Sequence, residues 1–174
     1  MNMSLEAFKT RVLPTKDKLY RFAFKMLGDQ DEAQDVVQEV FIKVWNGRDQ
    51  MDQLENMEAW CMRITRNLSL DKIKSKTRKM TDHIQEGFDV SQGDGLTPYR
   101  STEMDDTMKN IGRFIASLPE KQKQIIQLRD VEGYSYKEIG DILEIDMNQV
   151  KVNLFRARQA VKENLLNMNA YGLQ

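Results

Sequence analysis

Helical periodicity runs along most of this chain and fails once. From Met80 to Arg100, Gly87, Gly93, Gly95 and Pro98 fall among apolar residues of no consistent spacing, and such a stretch supports no regular element. One continuous core cannot be threaded through it. The expectation is therefore two small domains, residues 1–80 and 102–174, joined by a linker at 81–101. Elsewhere breakers are scarce: three prolines and nine glycines occur in 174 residues, while Met, Leu, Ile, Lys, Glu and Gln dominate. That composition favours helix, so the fold class is all-α.

Several kinds of chemistry are excluded early. Cys61 is the only cysteine and His83 the only histidine, which leaves no disulfide framework, no Cys-based zinc site and poor supply for a triad. No metal, cofactor or catalytic residue is assigned. Met1 to Arg11 lacks the apolar stretch of a signal peptide, and no run is long enough to cross a bilayer. A reducing cytoplasm and no membrane insertion are expected. Lys plus Arg number 26 against 27 Asp plus Glu, a net charge of −1. That average hides segregated faces.

In the first half, Leu19 to Met26 and Ala33 to Trp45 have helical spacing, with Ala33, Val36, Val37, Val40, Phe41 and Val44 on one stripe. Gly28-Asp29 separates the two, and Asp29 or Asp31 caps the second. Asn46-Gly47 stops it. A third helix is expected from about Met57 to Lys79, with Ala59, Trp60, Met62, Ile64, Leu68, Leu70 and Ile73 mostly inward. In the second half, a helix from about Thr102 carries Met104, Met108, Ile111, Phe114 and Ile115. Ser117 with Glu120, and Ser135 with Glu138, have capping-box spacing, and Asp146 offers a further helix start. The last helix buries Val150, Leu154, Ala157, Val161 and Leu165. A short helix ending near Leu143, about four residues and a longer basic helix make the helix-turn-helix pattern.

Three constellations stand out. Between Met62 and Lys79, Arg63, Arg66, Lys72, Lys74, Lys76, Arg78 and Lys79 face the single acid Asp71. Pairing along the helix cannot neutralise them, and a polyanion is the natural partner. Asn67 lies among them with a donor and an acceptor suited to a base edge. On the final helix, Gln149, Lys151, Asn153, Arg156 and Arg158 flank the apolar stripe, the first three where recognition helices read bases. Asp29, Asp31, Glu32, Asp35 and Glu39 form an acidic face, for which spacing alone favours a solvated surface over a protein contact.

Leu19-Tyr20-Arg21 through Gly28-Asp29, then Glu32 to Phe41 and Val44-Trp45, resemble the polymerase-binding segment of the extracytoplasmic-function class of sigma-70-type initiation factors. Ala59-Trp60 to Ile64, Arg66-Asn67 and Asp71 are similar to that family's helix at the melted upstream edge of the transcription bubble. Leu118 to Gln122, Gly133 to Ile139, Val150-Lys151 and Arg156 to Arg158 look like its second domain. The resemblance implies an alternative sigma factor that carries core RNA polymerase to a two-part promoter and assists melting, without catalysing bond chemistry. It implies that Asp35, Gln38 and Glu39 meet the clamp helices of the polymerase's largest subunit, with the beta flap a further contact. Arg63, Arg66, Asn67, Lys72 and Lys74 would bind the minus-ten element, and the loop Asn46 to Glu58 would accept a flipped base. Gln149, Lys151, Val152, Asn153, Arg156 and Arg158 would bind the minus-thirty-five element. Linker acids Asp89, Asp94 and Glu103 would mimic phosphates near the RNA path, and an anti-sigma protein would hold the chain inactive. Three positions depart from the family's pattern: Glu144 replaces a usual glycine and is forced toward positive φ, Val152 and Asn153 replace small polar and basic residues, and Lys74 replaces an arginine. The alternatives are a stand-alone helix-turn-helix regulator, which leaves Leu19 to Lys79 unexplained, and a protein-binding helical module, which has no use for two basic helices.

Overall fold

The computed structural model describes residues 3–85 and 106–170, all helix and connection with no strand among them. The chain divides into two compact units, Met1–Thr97 and Pro98–Gln174. The linker from residue 86 onward and the expected helix start at Thr102 lie outside the described residues.

The first unit opens with a helix the periodicity did not announce, α1 (Leu5–Arg11), capped by Ser4, whose side chain accepts from the Ala7 amide at 3.1 Å. Seven residues are too few to stand alone in water. What holds α1 is Phe8, edge-on to Phe41 and to Trp45 with centroids 6.2 and 5.4 Å away. A 3-10 turn (Leu13–Thr15) leads into α2 (Lys16–Leu27), which buries Leu19, Phe22 and Ala23. Gly28 ends α2 at φ 69°, its amide donating to the Phe24 carbonyl at 2.8 Å. Of the two candidate caps it is Asp29 that starts α3 (Gln30–Asn46), accepting from the Glu32 amide at 3.0 Å. The buried stripe of α3 is Ala33, Val36, Val37, Val40 and Val44, and burying each valine contributes about 1.5–3 kcal/mol.

Asn56 caps α4 (Met57–Gln85) through a 2.9 Å bond from the Ala59 amide. This helix corrects the sequence reading twice. It continues past the expected end at Lys79. Its buried face is also only partly the expected one: Ala59 and Met62 are buried as expected, with Met57, Cys61, Thr65 and Ser69 beside them, whereas Trp60, Ile64, Leu68, Leu70 and Ile73 are half-exposed. Small side chains at 65 and 69 let α4 approach its neighbours closely, and Thr65 satisfies its hydroxyl on the Cys61 carbonyl at 2.8 Å. Residues 74–81 bury nothing.

In the second unit, α5 (Asp106–Ala116) lays Ile111, Phe114 and Ile115 on a core of Leu118, Ile126, Ala157 and Val161. The capping box expected at Ser117 does not form. The next helix, α6 (Glu120–Ile126), begins after Pro119, too late for Ser117 to cap it, and the Ser117 hydroxyl donates instead to the Phe114 carbonyl at 2.8 Å. Proline biases the residue before it away from helix, so Leu118 cannot serve as a first-turn position. α6 runs into a π-helical turn (Gln127–Val131). Gly133 leaves that turn at φ 81°. Ser135 and Glu138 form the expected capping box of α7 (Tyr136–Leu143), both bonds at 3.1 Å. Glu144 adopts φ 59°, as its place in the turn requires. Asp146 then starts α8 (Met147–Ala170), accepting from the Gln149 amide at 2.8 Å. Val150, Leu154, Ala157 and Val161 are buried as expected, and Leu165 is half-buried.

Candidate functional site

On α3 the hydrophobic stripe fixes which residues face out. Asp31, Asp35, Gln38 and Glu39 are all exposed. Beside Gln38 the surface sinks into a cleft of about 440 Å³ lined by Leu13, Tyr20, Val37 and Phe41. The acidic face therefore borders an apolar depression, a combination suited to a protein partner. Glu32 is different: it is half-buried and pairs with Lys76 at 2.7 Å. One cation counted as unpaired along α4 thus has an acid on α3.

The basic helix α4 divides into two parts. Near its start, Arg63 lies 5.7 Å from the Trp60 ring, and Arg66 donates to the Asn67 side-chain oxygen at 3.1 Å. Burial first, and the neighbouring Arg63 second, pull the Arg66 guanidinium below its usual pKa. Trp60 Nε1 and Arg66 Nε are out of water without an acceptor among the described residues, and each such donor costs about 1–3 kcal/mol. Asn67 is exposed, Lys72 half-buried and Lys74 exposed. Of the five residues expected at the minus-ten element, Arg66 and Asn67 are joined by a hydrogen bond, while at about 100° per residue Lys72 lies on the opposite side of α4 from Arg63.

The loop before α4 is built rather than loose. Arg48–Gln53 forms a 3-10 turn, the Arg48 guanidinium lies 4.3 Å over the Trp45 ring and donates to the Trp45 carbonyl at 2.9 Å, and Met51 is buried. Arg11 adds a 3.3 Å bond to the Leu54 carbonyl. Arg48 and Arg11 were not singled out in the sequence; the carbonyl that Arg11 reaches lies 43 residues away and only folding brings it near.

On α8, Gln149, Lys151, Val152 and Arg156 are exposed. Asn153 is half-buried and its amide nitrogen donates to the Gln149 carbonyl at 2.8 Å. Arg158 grips Asp130 of the π-helical turn with two bonds, Nε at 3.0 Å and a terminal nitrogen at 2.5 Å. The hydrogen bond to Asp130 raises the Arg158 pKa further. So five of the six expected readers are exposed, Arg158 among them although it is paired with Asp130, and Asn153 is half-buried. The residue that sets the α7–α8 geometry was also missed. A Cβ on Gly140 would meet the Ile145 carbonyl oxygen at 2.9 Å, so only glycine lets the turn close this tightly. The linker acids Asp89, Asp94 and Glu103 lie outside the described residues. Among the described residues no group of His, Cys, Asp and Glu is arranged to hold a metal, and no helix is long and apolar enough to cross a membrane.

Comparison with known proteins bears on both units. Residues 12–79 match the Sigma-70 region 2 family and residues 108–161 the Sigma-70, region 4 family. The chain is 31% identical to the ECF RNA polymerase sigma factor SigW of Bacillus subtilis, over 94% of this chain and 91% of that one. It is 28% identical to the RNA polymerase sigma-H factor of Pseudomonas aeruginosa, over 91% and 86%. Its fold is similar to that of the sigma factor RpoE solved with the anti-sigma factor NepR from Bartonella quintana, with TM-score 0.76, 24% identity, and 92% and 98% of the two chains covered. With this identity to SigW sustained along nearly the whole of both chains, the protein belongs to the ECF sigma factors of the sigma-70 family.

Proposed function

We propose that this chain acts as an alternative sigma factor in the bacterial cytoplasm: it binds core RNA polymerase, directs it to a two-part promoter and assists melting, leaving bond chemistry to the polymerase. The observation that carries this reading is that each of the two family segments presents its own exposed basic helix, α4 and α8. A stand-alone helix-turn-helix regulator needs only the second.

On this reading Asp35, Gln38 and Glu39 meet the clamp helices of the polymerase's largest subunit, and the apolar cleft beside Gln38 takes a side chain from that partner. Arg63, Arg66, Asn67, Lys72 and Lys74 hold the minus-ten element. The braced loop Asn46 to Glu58 takes the flipped base. Gln149, Lys151, Val152 and Arg156 enter the major groove of the minus-thirty-five element, with the half-buried Asn153 and the exposed Arg158 beside them. A second cleft of about 510 Å³, lined by Ile111, Ile115, Ile126, Val131 and Leu166, is a fitting seat for the beta flap. The RpoE relative was solved with NepR, and CnrH, another fold relative at TM-score 0.65, with the cytosolic domain of CnrY. An anti-sigma protein covering the same faces is the corresponding regulator here.

The test is transcription by core polymerase plus the purified chain on a library of promoter fragments, followed by transcript sequencing. Start sites sharing two separated elements are expected. Transcripts no more site-specific than those from core alone would overturn the reading.

A further inference from the structure

Residues 3–11 lie ahead of Val12, where the Sigma-70 region 2 match begins, and burial within α1 does not account for them. That helix buries no residue, and seven residues form no stable helix by themselves in water. The contacts of the segment converge instead on the end of α3 and the turn after it. Met3 is buried and its amide donates to the Arg48 carbonyl at 3.4 Å. Phe8 stands edge-on to Phe41 and Trp45. Arg11 donates to the Leu54 carbonyl at 3.3 Å.

Position 48 opens the 3-10 turn Arg48–Gln53 and position 54 caps it, so the segment holds the turn at both ends and in the same order. The lengths agree. Seven α-helical residues rise about 10 Å at 1.5 Å each, and six 3-10 residues rise about 12 Å at 2.0 Å each. A helix fastened to both ends of a turn of similar length acts as a splint. The turn has use for one, because 3-10 hydrogen bonds are poorly aligned and runs beyond three or four residues are uncommon. Within it Met51 is buried, whereas Asp49, Gln50 and Gln53 are exposed. Those polar side chains keep a fixed arrangement only while the ends of the turn stay in place. A pocket for an unstacked base discriminates by close fit, and a loop ordered in advance loses less free energy on binding than one ordered by its ligand.

We propose that Met3 to Arg11 is a splint that preshapes the turn from Arg48 to Leu54 for the flipped base, with Phe8 and Arg11 as its positioning residues. The proposal rests on the sigma-factor reading and extends base choice at that position to residues outside the matched segment.

Two measurements test it. The first is hydrogen exchange of the free full chain, read at the Gln50 and Leu54 amides, which bond the Gly47 and Met51 carbonyls at 3.1 Å. Phe8→Ala removes two aromatic pairs and is expected to speed that exchange about tenfold. Arg11→Ala should speed it about threefold, with the core amides of α2 unchanged in both variants. Phe8→Leu and Arg11→Lys, which keep an apolar side chain and a donor, should fall between these and wild type. The second measurement is base preference of holoenzyme, assembled from the full chain and core polymerase, on a library randomised through the minus-ten element. Phe8→Ala and Arg11→Ala are expected to lower preference at one position at least about threefold, the effect of weakening one hydrogen bond in the pocket. Core affinity and preference in the upstream element should stay as in wild type. Turn exchange unchanged in both variants, preference retained at every position, or a loss spread evenly over core binding and all promoter positions would each overturn the splint. Where wild-type holoenzyme still selects start sites in those cases, the sigma-factor reading survives. A wild-type holoenzyme that selects no start site removes that reading and the splint's role in base choice with it.

Discussion

Gly112 and Gly140 are both helical glycines of the second unit, and the same substitution should act on them with opposite sign. Alanine in a helix interior is favoured over glycine by about 1 kcal/mol, because the glycine backbone loses more freedom on folding. At Gly112, on α5, nothing lies within 4 Å of an added Cβ, so Gly112→Ala should keep that gain. At Gly140 the Cβ would meet the Ile145 carbonyl oxygen at 2.9 Å and Val150 Cγ2 at 4.0 Å. The close atom is backbone, which cannot swing aside as a side-chain tip can. The Ile145 amide also donates to the Gly140 carbonyl at 3.1 Å, so opening the gap stretches that bond. Overpacking of this kind costs about 1–3 kcal/mol. Set against the helix gain, Gly140→Ala should destabilise the unit by about 1 kcal/mol, and the two variants should differ by about 2 kcal/mol. Hydrogen exchange of α7 and α8 amides in the full chain reads this unit by itself. Protection there should fall about fivefold in Gly140→Ala and rise by a similar factor in Gly112→Ala. Because Ile145 lies between the left-handed Glu144 and the Asp146 cap, promoter selection should also suffer in Gly140→Ala while core binding holds. If Gly140→Ala gained as much protection as Gly112→Ala, the close approach would not be a constraint on the turn.

Three further outcomes are expected. Asp35→Arg reverses a charge on an exposed position, so the helical signal should be unchanged while affinity for core polymerase falls at least about tenfold; unchanged affinity would remove α3 from the docking surface. Asn67→Ala should slow open-complex formation, read by permanganate reactivity of melted thymines, with core affinity retained; normal melting would take Asn67 off the minus-ten surface. Burial first, and Glu58 second, push the Cys61 thiol up to about 12. The unfolded chain ionises near 9.0, so this contribution to stability is complete below that pH and is lost as pH rises toward about 12. At pH 8 the native chain should accordingly resist iodoacetamide and label only on unfolding; native labelling at the rate of a free thiol would contradict the burial.

Local signals made much of the fold legible. The glycine stop at Gly28, the cap at Asp29 from the two candidates offered, the Ser135–Glu138 box and the Asp146 cap each depend on residues a few positions apart, and the left-handed Glu144 stands where the family's usual glycine implied it. The misses have a common cause in longer-range packing. Pro119 delayed α6 past the apparent box at Ser117, and α1 exists because Phe8 finds Phe41 and Trp45. The buried face of α4 passes through Thr65 and Ser69, which periodicity of apolar residues does not detect. At the candidate site, charge along one helix was readable, but partners from other elements were not: Lys76 has Glu32 and Arg158 has Asp130.

Those internal pairs change what the charge count means for DNA binding. The net charge of −1 results from near-equal numbers of acids and bases, but the cations are not equally available. Arg158 pairs with Asp130 and Lys76 with Glu32, and Lys151 and Arg156 are exposed on the outward face of α8. Each phosphate neutralised contributes about 0.9 to the salt slope, so two contacts give a slope near 2, against losses of a thousandfold or more for proteins making six to ten. A recognition helix with so small an electrostatic contribution discriminates by its base contacts while adding little affinity of its own. On the proposed reading, stable promoter occupancy then has to come from the core polymerase, and the helix supplies the choice of site.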